Sequence, residues 1–213
     1  MTIATSISTR IRQQAAALRG SPALIPYITA GFPTKAAFRS QLLALAPLAG
    51  VIEVGVPFSD PMADGATIQE SSRTAIQNGV TLSWIFDELA ALKGSLEAPI
   101  ALMSYLNPLI TAGLDSLADN AARAGVAAFI IPDLPLEESA PLRATLHAKQ
   151  IGLIQLVSPI TPPARAEKLA QHSDGFLYAV TVTGVTGAAN RTSTLREPTS
   201  LYLDRLRAIS PVP

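Results

Sequence analysis

The chain has 213 residues, is 48% hydrophobic and only 15% charged, and its 16 basic and 16 acidic residues cancel. That hydrophobic share excludes a disordered chain, and zero net charge removes the electrostatic basis for binding nucleic acid. The absence of cysteine excludes disulfides, thiolate metal sites and thiol nucleophiles, and no apolar run reaches the roughly 18 residues that would span a bilayer.

In chain order, MTIATSISTRIRQQAAALRG opens the sequence with Arg10, Arg12 and Arg19 breaking up its apolar positions. It reads as a short amphipathic helix and not as a signal peptide. Apolar, strand-like runs then occupy 23–28, 51–55, 99–103, 127–131, 152–157 and 175–180. Longer Ala/Leu/Arg/Glu segments lie between them and predict helices over 34–47, 82–93, 114–124, 137–148, 164–171 and 199–209. Pro-rich spots such as SPITPPAR sit at strand-to-helix junctions, where proline opens a helix without losing a needed hydrogen bond. His147 and His172 fall in polar, helix-like stretches without further ligands at metal spacing, and read as surface residues. The composition is that of a soluble, cytoplasmic domain.

Most strand runs are continuously apolar, as expected of strands covered on both faces, and their alternation with helices predicts a parallel sheet in an α/β fold. An open doubly wound sheet would carry a Gly-rich turn after its first strand, and TAGFPT is not GxGxxG. Polar residues instead recur at or beyond the C-terminal ends of several strands: Glu53, Asp64, Tyr105, Asn107, Asp133, Thr181 and Thr183. That is where a (βα)₈ TIM barrel gathers its site. Six βα units are countable, so residues 1–213 are expected to form one barrel domain lacking the seventh and eighth units, roughly 50 residues at about 25–30 per unit.

The stretch VIEVGVPFSDPMADGATIQ carries two carboxylates in contrasting settings. Glu53 interrupts an apolar strand, so burial should raise its pKa; Asp64 follows in a Pro/Gly/Ser-rich turn and should stay ionised. Such a divergent pair suits proton transfer near neutral pH. Taken alone, Glu53 could also be a buried acid satisfied by a salt bridge, and Asp64 a turn-forming residue of ADG.

IEVGVPFSDPMADGATIQ, PYITAGFPT, PDLPLEES and TGVTGA together closely resemble the α subunit of tryptophan synthase, a (βα)₈-barrel lyase, from about Ala23 to the last residue. The resemblance implies retro-aldol cleavage of indole-3-glycerol phosphate to indole and glyceraldehyde 3-phosphate, in tryptophan biosynthesis, with no cofactor and no metal. It implies that Glu53 is the proton shuttle, that Asp64 accepts a hydrogen bond from the indole N–H, and that Tyr178 lies close to Glu53. Tyr27, Met103, Tyr105 and Ile130 match positions lining the indole pocket, although from sequence they read equally as core. Gly184, Val185, Thr186 and Gly187 match a mobile lid whose threonine bonds the aspartate, and Gly184 belongs to the family's phosphate-binding set. The DPMADG loop matches the segment that meets a β subunit, implying an α2β2 heterotetramer, with neither nucleic acid nor membrane as partner. Met62 and Ala66 depart from the family's leucine and proline with little change in volume.

The loops after strands seven and eight that hold the phosphate in relatives have no counterpart here. Weak or no turnover by these 213 residues alone is therefore expected. Two other readings remain: a degenerate α-like chain acting as a non-catalytic binding or regulatory subunit, and a stand-alone lyase releasing free indole.

Overall fold

In the computed structural model, which describes residues 3–18, 21–62, 64–181 and 199–213, the apolar runs become neighbouring parallel strands. The elements are α1 (Ile3–Ala17), β1 (Tyr27–Thr29), α2 (Phe38–Leu45), β2 (Ile52–Gly55), α3 (Ala66–Gln77), α4 (Leu82–Ala91), β3 (Ile100–Met103), α5 (Leu106–Thr111), α6 (Leu114–Ala124) and β4 (Val126–Ile130). There follow α7 (Ala140–Ala148), β5 (Gly152–Ile154), β6 (Leu156–Val157), α8 (Pro163–Gln171), β7 (Tyr178–Ala179) and α9 (Thr199–Ile209). Short 3₁₀ turns at Lys35–Ala37 and Leu136–Glu138 lead into α2 and α7. Strands β1 to β5 pair in sequence order, and β6 pairs with β7. β5 and β6 are one predicted run divided at Gln155, whose N–H donates to Ser173 Oγ at 2.9 Å while its carbonyl accepts from Tyr178 N at 3.0 Å. The division passes the run from β4 on one side to β7 on the other. Sheet order and helix placement are those of a (βα)₈ barrel wall.

Alternate residues face opposite ways along each strand. Ile52, Val54, Ile100, Leu102, Phe129 and Leu153 point outward and pack with Phe38, Leu42, Phe86, Leu117 and Leu146 of the helices. Val51, Ala101, Ala128, Ile130, Ile154 and Phe176 form an inner cluster, closed by Ile7 and Ile11 of α1. α1 also joins distant parts of the wall: Ser8 Oγ donates to the Gly175 carbonyl, and Gln14 bonds both the Leu48 carbonyl and the Leu24 N–H. A third cluster sets α8 and α9, through Leu169, Tyr202 and Leu206, against Val157. No helix among the described residues is long and apolar enough to cross a membrane.

Three local outcomes differ from the sequence expectation. The first strand is regular only over Tyr27–Thr29, because Pro26 has no N–H to donate; the preceding backbone still pairs through the Leu24 and Pro26 carbonyls to Gly50 and Glu53. α3 and α5 were not expected. α3 buries Ser71, Ser72 and Ala75, so its packed face carries little hydrophobic signal. α5 spans six residues, and its first N–H is satisfied by a residue 27 positions away. By contrast, α6 and α9 fill their expected ranges, and α6 ends where Gly125 takes φ 75°, a left-handed conformation suited to glycine.

Candidate active site

β2 places Glu53 on the inner face of the sheet, opposite Tyr27 of β1 and Ala101 of β3. Ala101 is in turn opposite Ala128 of β4, so the wall beside Glu53 is made of small side chains. Glu53 is only 3% exposed, and burial pushes its carboxyl up to about 7. Among the described residues, neither a counter-ion nor a hydrogen bond that would favour the anion acts against that burial. The salt-bridged alternative for Glu53 thus finds no support among the described residues.

Asp64 lies in the turn between β2 and α3, directly before Gly65, which caps the helix. Its carbonyl accepts from Gln69 Nε2 at 2.9 Å, which ties the turn to the first helical residues. The carboxyl is not in the open polar setting that the loop composition suggested. It is half-buried, and desolvation raises its pKa while a hydrogen bond from Tyr105 acts in the opposite direction. Two opposing influences of this kind produce a carboxylate that is partly desolvated yet has a dedicated donor.

Three phenols surround the carboxylates. Tyr27 and Tyr178 are each raised to about 12, chiefly by burial, and the Glu53 charge contributes to both. Asp64 and Tyr105 also act on Tyr27. Glu53, Asp64, Tyr27, Tyr105 and Tyr178 therefore converge on one region from β2, the β2–α3 turn, β1, the β3–α5 turn and β7. Met103 and Ile130, opposite one another on β3 and β4, supply apolar inner surface beside them. The Tyr105 ring stacks at a tilt on Phe58, with centroids 5.1 Å apart. Its turn is pinned by Asp133, whose two carboxylate oxygens accept from Leu106 N at 2.9 and 3.2 Å. Gly184, Val185, Thr186 and Gly187 lie outside the described residues.

Two contributors to the site were missed in the sequence. Gly55 is one: a Cβ there would come within 2.0 Å of the Tyr27 hydroxyl, so only glycine lets the ring lie across β2. Its place two residues after Glu53, on the same face, was the available signal. Thr29 is the other, buried beside Tyr27 and bonded to Ser71. His147, expected as a surface residue, is instead partly buried, with Nε2 2.7 Å from Asp174 Oδ2. Asp174 also accepts from Leu153 N at 2.9 Å, so this pair fastens α7 to β5, away from the carboxylates. His172 is exposed, as expected.

Fold and site together define an α/β-barrel protein in which two carboxylates and three phenols gather at the inner face of the sheet and the turns that follow β2 and β3. Residues 13–213 match the family described as tryptophan synthase alpha chain. The tryptophan synthase alpha chain of Nitratidesulfovibrio vulgaris (Hildenborough) is 52% identical over 185 residues, covering 86% of this chain and 71% of that protein. The one from Chloroflexus aggregans is 44% identical over 206 residues, covering 91% and 77%. Among solved structures, Mycobacterium tuberculosis tryptophan synthase superposes with a TM-score of 0.84 at 30% identity, covering all of this chain and 78% of that one. The tryptophan synthase α2β2 complex of Pyrococcus furiosus gives 0.78 at 36% identity, covering 89% and 75%. This chain belongs to the tryptophan synthase α chain family.

Proposed function

We propose that the chain, read as one barrel domain, is a tryptophan synthase α subunit that cleaves indole-3-glycerol phosphate to indole and glyceraldehyde 3-phosphate in the cytoplasm. The observation that carries this reading is the buried Glu53 carboxyl, raised to about 7 and flanked by a half-buried Asp64. Glu53 starts protonated and gives its proton to indole C3. Asp64 accepts the indole N–H and stabilises the cationic indolenine that results. The Glu53 carboxylate then takes the proton of the glycerol hydroxyl adjacent to the ring. The carbon–carbon bond breaks, its electron pair returns to the ring, and the hydroxyl carbon becomes the aldehyde. One proton enters and one leaves, so Glu53 ends the cycle as it began.

Tyr178 borders Glu53, while Tyr27, Met103, Tyr105 and Ile130 wall the indole site. In the same reading Gly184 to Gly187 form the lid, Thr186 holds Asp64, and the Gly184 N–H contributes to phosphate binding. The 60–65 turn carries Met62, 91% exposed, next to the segment bearing Asp64, and we assign it to contact with a β subunit in an α2β2 assembly. Indole release measured with the wild type, Glu53→Gln and Asp64→Asn tests the reading. Release by the wild type that both substitutions abolish supports it; release unaffected by Glu53→Gln overturns it.

A further inference from the structure

A cavity of about 340 Å³ opens on the outer side of the wall, where β5 and β6 meet α8 and the segment that follows β4. Leu136, Leu153 and Leu169 give it apolar walls, and Asp133, Gln155 and Arg165 are its polar lining. Gln155 stands two residues from Leu153 and two from Val157, and both of these pack outward against the helices. Alternation along the run turns Gln155 the same way, away from the inner face that carries Glu53.

The polar lining is unequally committed. Both carboxylate oxygens of Asp133 accept from Leu106 N, at 2.9 and 3.2 Å. Arg165 is closed on Glu137 by two hydrogen bonds, and Lys168 Nζ reaches the same carboxylate at 3.3 Å. Two positive and two negative charges thus gather around this rim, which favours neither an anion nor a cation.

Gln155 differs from both. Its backbone N–H and carbonyl are spent on Ser173 and Tyr178. Among the described residues no group bonds its side-chain amide, although Gln155 is only 5% exposed. Nor is that amide sealed within the protein, as Gln41 Oε1 is, because Gln155 borders the cavity. An amide kept from both water and protein partners costs stability, and an apolar side chain would serve the packing of this layer better.

We propose that this cavity is a binding site for a small, uncharged carboxamide, with its apolar body against Leu136, Leu153 and Leu169 and its head on Gln155. A carboxamide carries an acceptor and a donor side by side. Two of them meet edge to edge through a pair of N–H···O bonds, which would satisfy the Gln155 amide at both atoms. A purely apolar molecule would leave that amide unpaired, and a charged one would find no uncommitted counter-charge at the rim. The volume is at the lower end of the range for small-molecule sites. The proposal stands apart from the lyase reading and does not depend on it.

The test is an NMR titration of the ¹⁵N-labelled 213-residue protein with benzamide at millimolar concentration. The side-chain NH₂ signals of Gln155 should shift and saturate. Gln155→Leu removes both hydrogen bonds and should weaken binding at least about tenfold, read at the backbone amides of residues 153 and 169. Benzoate, which brings a charge, and acetophenone, which lacks the N–H donor, should each bind the wild type about tenfold more weakly than benzamide. Leu169→Phe keeps the amide but narrows the cavity, and it should weaken benzamide binding too; it decides the matter if Gln155→Leu does not fold. Gln155 signals that do not shift, or that shift without saturating, overturn the proposal and leave the cavity to water. Benzamide binding unchanged in Gln155→Leu overturns it, as does benzoate or acetophenone bound as tightly as benzamide. Shifts confined to residues around Glu53 would put benzamide in the candidate active site and overturn it equally.

Discussion

Replacing Glu53 by glutamine should remove activity and at the same time stabilise the protein, in a manner that depends on pH. The wild-type carboxyl is raised from 4.5 to about 7 by burial. The folded protein therefore keeps this proton up to about pH 7, while the unfolded chain releases it near the ordinary value. The stabilising influence of that proton is complete below pH 4.5 and is lost as pH rises through about 7. A difference of 2.5 units, at about 1.4 kcal/mol per unit, makes the full loss about 3 kcal/mol. The neutral amide has no such dependence. Urea denaturation of both proteins between pH 5 and 8.5 should show Glu53→Gln gaining on the wild type by about 2–3 kcal/mol across the range. Any constant cost of fitting the amide cancels in that comparison. A stability difference that stays level with pH, or that widens toward acid, would refute a buried carboxyl titrating near neutrality.

Gly55→Ala puts a Cβ within 2.0 Å of the Tyr27 hydroxyl. It should cost about 1–3 kcal/mol in urea denaturation and weaken substrate binding, and a variant as stable as the wild type would contradict the close approach. Asp133→Ala frees the Leu106 N–H at the start of α5 and should cost about 1 kcal/mol. It should also disturb the Asp64 titration through Tyr105, whereas Asp133→Asn, which keeps an acceptor, should do much less. Equal effects from the alanine and asparagine variants would count against the hydrogen bond as the cause.

The parts of this molecule legible in its sequence are those decided by local chemistry. Continuous apolar runs located β2, β3 and β4, and Glu53 stood out because an acid among valines has few bland explanations. The segment expected as a helix over 114–124 ends in the structure where Gly125 takes a left-handed backbone conformation. What was hidden depends on contacts between segments distant in sequence. The packed face of α3 is made of Ser71, Ser72 and Ala75, which have no hydrophobic period to detect. The cap of α5 arrives from Asp133, 27 residues away. Asp64 looked like a solvated turn residue because its partial burial and its bond to Tyr105 arise only once β3 is placed beside β2. His147 likewise acquired its partner, Asp174, only through the packing of α7 on β5.

The most direct measurement is the pH dependence of indole release from indole-3-glycerol phosphate in a single turnover, with protein in excess so that slow cleavage is still seen. Glu53 must begin protonated, so the rate should fall as pH rises through about 7 and be lost in Glu53→Gln. A rate that is level from pH 6 to 8.5, or indole formed equally well by Glu53→Gln, would contradict the account.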